Sequence, residues 1–141
     1  MVCCGSTYPY DMPVYYSIDA KREVIFFRAE GVVTKKELFA TFRALFSDPL
    51  FHSDLRFFAD MTTMQEGRFS YIDVWGAVSI TRFSAKARRA FLLKSDLSDR
   101  FYRVLKESVA FHGKGAPREF HDRRKALAWL NQGVPPEKVL T

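Results

Sequence analysis

The residues able to do chemistry are few and lie far apart in the 141-residue chain. The histidines, His52, His112 and His121, stand in separate loops or strand ends. No His-x-x-x-His pair sets two imidazoles on one helix face, as a helical metal site requires. There is no Gly-rich phosphate loop and no Gly-x-Ser-x-Gly nucleophile turn. Cys3 and Cys4 are adjacent at the N-terminus. Neighbouring thiols cannot frame a fold, and two ligands make a poor zinc site, so they read as a reduced pair. Asp60, Ser70 and His121 make a Ser-His-Asp set only if loops happen to bring them together, a coincidence any α/β domain offers. This inventory points to a non-enzymatic protein with no cofactor and no metal.

Ser70 is the sharpest single residue. It opens Ser70-Tyr71-Ile72-Asp73, a capping-box pattern at the start of an expected helix over 70–82. A phosphate on Ser70 would face the free amides and positive end of that helix. Unmodified, the same hydroxyl is a plain N-cap contributing roughly 1 kcal/mol. Asp60, Thr62, Thr63, Arg68, Ser95, Asp96, His121 and Asp122 also each follow an expected strand or precede an expected helix. Open α/β sheets bind ligands at that edge. The expected partner or ligand surface is therefore Asp60, Thr62, Arg68, Ser70, Trp75, Ser95 and Asp96. With Arg68 and helix N-terminal amides it would suit an anionic headgroup. Asp and Ser are equally what caps and turns require.

A second grouping is basic. The stretch from Arg82 to Arg89 carries four cations and no acid, and Lys114 and Arg118 fall at the same kind of helix-to-strand junction. The patch Arg82, Lys86, Arg88, Arg89, Lys114 and Arg118 would complement helix C-termini, or face an acidic protein or an anionic membrane surface. The net charge of +6 permits such a partner without requiring one. Nucleic acid is not expected, because no recognition motif and no periodic stacking aromatics occur.

The elements that must position these residues follow from pattern. Segments 15–19 and 24–30 are β-branched and aromatic runs joined by Asp19-Ala20-Lys21-Arg22, an antiparallel hairpin with Gly31 ending its second strand. Thr34-Lys35-Lys36-Glu37 is a capping box opening a helix through Leu38, Phe42 and Leu45, stopped at Asp48-Pro49. Residues 55–61 suit a central strand buried on both faces, followed by a polar stretch over 62–69. Helix 70–82 precedes a strand at 89–94, a helix capped by Asp96 or Ser98, a strand at 118–121, and a last helix capped by Asp122. The order β-β-α-β-α-β-α-β-α demands a mixed central sheet with helices packed on it, and right-handed crossovers gather the strand C-termini on one edge.

The chain suits one domain over 12–133, with an irregular tail over 134–141. Residues 1–11, which include Tyr8-Pro9-Tyr10-Asp11, read as a disordered or tag-derived leader. No apolar run reaches the roughly 18 residues of a membrane helix, and no signal-peptide pattern occurs, so a cytoplasmic location is expected. Of the 14 phenylalanines, most suit the core. Phe27, Phe58, Phe69 and Phe83 are candidates for lining an apolar cavity or a homodimer contact.

Over about 14–130 the chain resembles the STAS family, in particular its SpoIIAA-like branch of anti-sigma-factor antagonists, whose fold is related to lipid-binding CRAL-TRIO domains. Gly31-Val32-Val33-Thr34 before the first helix, Ala59-Asp60-Met61-Thr62 at a strand end, and Asp122 with Ala126-Leu127-Ala128-Trp129-Leu130 carry the resemblance. In the antagonists an Asp-x-Ser motif precedes Asp-Ser-Ser-Gly, whose serine a partner kinase phosphorylates. Asp60-Met61-Thr62 is similar to the first motif, and Ser70 falls at the phosphorylated position. Arg68-Phe69 stands where the family has Asp-Ser, and Tyr71 where it has Gly. The resemblance implies a regulatory, protein-binding domain acting through the strand-C-terminal edge and helix 70–82. The alternative is a carrier of a lipid or small amphiphilic anion in an apolar pocket.

Overall fold

The computed structural model of the chain describes residues 13–69, 83–84, 86–94 and 117–141. The expected helix over 70–82, the helix expected after Asp96, and the leader lie outside the described residues. The described elements run β1 (Val14–Asp19), β2 (Val24–Thr34), α1 (Lys35–Phe46), β3 (Arg56–Arg68), β4 (Arg89–Leu92), β5 (Arg118–Phe120) and α2 (Arg123–Leu130). They form a five-stranded mixed sheet in the order β1-β2-β3-β4-β5. β1 and β2 pair antiparallel, and each later neighbour pairs parallel. The expected hairpin and the mixed α/β sheet are both present. The parallel pairings gather the C-terminal ends of β2 to β5 on one edge, where α1 and α2 begin.

Local chemistry explains the hairpin and the first helix. The Asp19 carboxylate accepts from the Arg22 amide at 2.9 Å and holds the connection, while Glu23 takes a positive φ of 59°. Thr34 caps α1: its hydroxyl accepts from the Glu37 amide at 3.3 Å, and the Glu37 carboxylate accepts from the Thr34 amide at 2.9 Å. Tyr16 on β1 donates to Asp48 beyond the end of α1 at 2.8 Å, tying the edge strand to the helix over it.

Two expectations about strand length are corrected. β2 does not stop at Gly31 but runs to Thr34. Gly31 sits at φ 60°, beside register shifts in the pairing with β3, so it accommodates a bulge rather than a strand end. The polar stretch after Met61 is likewise strand, as far as Arg68. Its backbone pairs with the prolonged β2, from Glu30↔Thr63 to Thr34↔Arg68. This pairing supplies the hydrogen bonds that the side chains of 62–68 do not advertise.

The pleat divides the sheet's side chains between two cores. On the face covered by α1, Ile18, Ile25, Phe27 and Phe57 pack with Leu38 and Leu45. There Phe27 stacks on Phe42 at 5.2 Å, and Phe83 meets Phe57 at 5.3 Å. On the opposite face Val24, Phe58, Ala90 and Leu92 pack with Ala126, Leu130 and Leu140. Each such large side chain contributes about 1.5–3 kcal/mol on burial. The tail from Val134, expected to be irregular, carries a 3-10 turn at Pro136–Lys138 and seats Leu140 in this second core. Asn131 holds Leu140 by both of its backbone groups, accepting from the amide at 2.7 Å and donating to the carbonyl at 2.9 Å.

Candidate functional site

At the strand C-terminal edge, the described site residues all hold partners, but only Asp60 and Thr62 are bonded to each other. Asp60 lies in β3, its side chain only 17% exposed. Its carboxylate accepts from the Thr62 amide at 3.0 Å and from the Thr62 hydroxyl at 2.6 Å. Its other oxygen faces Arg123 of α2 at 3.6 Å. The Thr63 hydroxyl donates to the Ala29 carbonyl at 3.1 Å across the β2–β3 pairing. His121 faces the Leu93 carbonyl through Nδ1 at 2.9 Å and Glu119 through Nε2 at 2.9 Å. Asp122 caps α2 by accepting from the Arg124 amide at 2.9 Å. Asp60 and His121 thus spend their polar atoms on other groups, and do not form the pair a Ser-His-Asp arrangement needs. Arg68, at the end of β3, is exposed and pairs with the equally exposed Glu66 at 3.0 Å. Ser70, Trp75, Ser95 and Asp96 lie outside the described residues.

On the sheet face that carries α2, a depression of about 270 Å³ opens between that helix and β1. The hairpin register sets Tyr15 opposite Arg28 and Ser17 opposite Phe26, and the β2–β3 register sets Phe26 beside Phe58 and Arg28 beside Asp60. All six line the depression, with Arg123 at its α2 side. The Arg123 guanidinium lies 5.2 Å from the centre of the Phe58 ring, a cation–π placement. The Tyr15 hydroxyl donates to Glu30, and partial burial together with this bond raises the Tyr15 pKa above its usual value. Of the unplaced phenylalanines, Phe58 lines this depression, whereas Phe27 and Phe83 are buried in the α1-side core and Phe69 packs against it. Sequence reasoning missed Tyr15, Arg28 and Arg123. The hairpin turn, once placed, contained the Tyr15–Arg28 register; the parallel pairing and the seat of Arg123 had no local signal.

The basic grouping splits. Arg88 donates to the Trp129 carbonyl at the C-terminal end of α2 and to Gln132 at 3.0 Å, with its guanidinium 5.3 Å from the Trp129 ring. Arg118, itself exposed, lies 5.7 Å from the same ring, and Lys86 is exposed. Arg89 does not join that face. It is only 4% exposed, because the pleat turns it inward over Phe83 at 5.6 Å. Arg82 and Lys114 lie outside the described residues. Arg56, which no sequence signal singled out, is buried at the same edge and donates to the Leu130 carbonyl at 3.1 Å and the Lys138 carbonyl at 2.7 Å.

Among the described residues no group of three or more His, Cys, Asp or Glu is placed to hold a metal. No helix among them is long and apolar enough to cross a membrane. No protein-family model matches the chain, and no curated protein matches it. A solved structure does: an uncharacterized protein of the DUF3478 family with a SpoIIAA-like fold, from Shewanella loihica PV-4. It is 20% identical, with a TM-score of 0.55, over 83% of this chain and 93% of that one. The chain has a SpoIIAA-like fold, as the resemblance implied.

Proposed function

We propose that the chain is a non-enzymatic regulatory or protein-interaction domain of the cytoplasm, binding a protein partner through the strand C-terminal edge and segment 70–82. One observation carries the reading: the polar groups described at that edge already hold partners, with Asp60 bonded to Thr62 and facing Arg123 while His121 faces Glu119 and the Leu93 carbonyl, so Asp60 and His121 do not work on each other. The Asp60–Thr62–Arg123 contacts make a rigid rim, and Arg68 and Glu66 stand exposed at its end. Rigid rims with exposed, loosely paired charge suit recognition more than catalysis. Ser70, at the head of segment 70–82, is the position where a phosphate would switch such a surface.

The test is affinity capture from the native host with the wild type and three variants, Arg68→Glu, Ser70→Glu and Trp75→Ala. A partner bound through this edge should be depleted about tenfold or more by at least one variant, the loss of one well-placed contact. If every captured protein binds all three variants as it binds the wild type, the surface is wrongly assigned.

The depression beside α2 favours a second reading, a carrier of a small amphiphilic anion. Its volume, about nine waters at ~30 Å³ each, exceeds a few waters but falls short of enclosing an acyl chain. Native mass spectrometry of protein purified from its own host checks this reading, through a small bound mass that is lost on denaturation.

A further inference from the structure

The depression beside α2 has a floor of defined chemistry. Tyr15, Arg28 and Asp60 are cross-strand neighbours in one row, and Ser17, Phe26 and Phe58 in the next. With strands about 4.8 Å apart and same-face residues about 6.8 Å apart along a strand, three strands and two rows span roughly 10 by 7 Å. That area accommodates one or two fused aromatic rings. Phe58 is buried beneath the Arg123 guanidinium, and Phe26, only partly buried, meets it edge to face at 6.2 Å and offers the surface to which a third ring can add an offset or edge contact. The volume of about 270 Å³ lies just below the roughly 300–1,000 Å³ of sites for drug-sized ligands, which limits the occupant to a small molecule.

Charge selects the kind of small molecule. Arg28 faces Glu30 at 3.4 Å and Arg123 faces Asp60 at 3.6 Å, both longer than the roughly 2.7–2.9 Å of a charge-assisted hydrogen bond. Each of these carboxylates already accepts from another donor, Glu30 from the Tyr15 hydroxyl and Asp60 from Thr62. In each pair one nitrogen, Nε of Arg28 and Nη1 of Arg123, faces the carboxylate, so the other N–H groups of the two guanidinium planes remain for an incoming acceptor. We propose that this depression binds a planar aromatic carboxylate, its ring against Phe26 and its carboxylate between Arg28 and Arg123. The inference deepens the carrier reading and rests on it.

The test titrates the ¹⁵N-labelled full chain with 2-naphthoate, with 2-naphthalenemethanol as the neutral isostere and inorganic phosphate as the anion without a ring. 2-Naphthoate should shift the amides of Ser17, Arg28 and Asp60 and saturate with a Kd on the order of 1 mM or below. The alcohol and phosphate should each bind at least about tenfold more weakly, and Arg28→Gln and Arg123→Gln should each weaken 2-naphthoate by about tenfold. Equal binding of the alcohol or of phosphate, or unchanged affinity in both variants, overturns the proposal. Arg28 is exposed, so Arg28→Gln decides the matter even where Arg123→Gln fails to fold. Saturable shifts confined to other residues overturn this site and leave the carrier reading to the co-purified mass; no binding and no bound mass overturn both.

Discussion

Arg56 shows how much one side chain can organise. It is 8% exposed, and its guanidinium donates to the carbonyls of Arg22, Leu130 and Lys138 and to the Asn131 side chain. Three separate stretches of chain, the hairpin turn, the end of α2 and the tail, therefore meet on one group. Burial pulls the Arg56 pKa below its usual value, and Glu23 and Asp19 act against that. Arg56→Met leaves the apolar stem but strands buried acceptors, and should cost about 2–4 kcal/mol in urea unfolding. Arg68→Ala, which breaks only an exposed pair, should fall within about 0.5 kcal/mol in the same experiment. Two carboxyls nearby make stability depend on pH. Burial acts to raise Asp19, but the amide and guanidinium of Arg22 outweigh it, and the hydrogen bond from Lys138 lowers Glu23. Both pKa values lie below their ordinary 3.8 and 4.5, so the stabilisation is present above those values and is lost as pH falls through them and below. Urea midpoints measured across acid pH should therefore fall less steeply for Glu23→Gln than for the wild type.

At the scale of elements, two short signals at the β2–α1 junction do different work. Thr34 is both the last residue of β2 and the cap of α1, so Thr34→Ala should cost about 1 kcal/mol, read from thermal unfolding. Gly31 sits at φ 60° with open space where a Cβ would stand. Gly31→Ala therefore costs only the left-handed backbone, about 1–2 kcal/mol, with no steric clash added. Capping chemistry and hairpin composition were legible in the sequence because each depends on residues within four positions of one another. The prolongation of β2 and β3 was not. Residues 62–68 lack β-forming alternation, and it is pairing with 30–34 that makes them strand. The same limit applied to the candidate site. Asp60 could be placed near a strand end and Arg68 ahead of an expected helix from order alone, but Arg123 reaches Asp60 only through the packing of α2 on the sheet.

Across the whole molecule, the second core is closed by the segment that carries Leu140. Leu140 is 5% exposed, and Lys138 pairs with Glu23 at 2.6 Å on the far side of the hairpin. Leu140→Ala should lower stability by about 2–3 kcal/mol in urea, and removal of residues 134–141 should lower it further, since truncation also uncovers the Arg56 and Asn131 bonds. By itself the sequence determined the hairpin, the start and end of α1, the twice-buried central strand at 55–61, the cap of α2 and the α/β class. In each case apolar periodicity and nearest-neighbour hydrogen bonding act within one element. The tertiary structure alone decided that Arg89 turns inward while Arg88 turns to α2, that a buried Arg56 knits the tail to the hairpin, and that Tyr15, Phe26, Phe58 and Arg123 share one depression. The reason is physical: sheet register and helix packing join residues dozens of positions apart, and no local preference encodes which partner a strand will find.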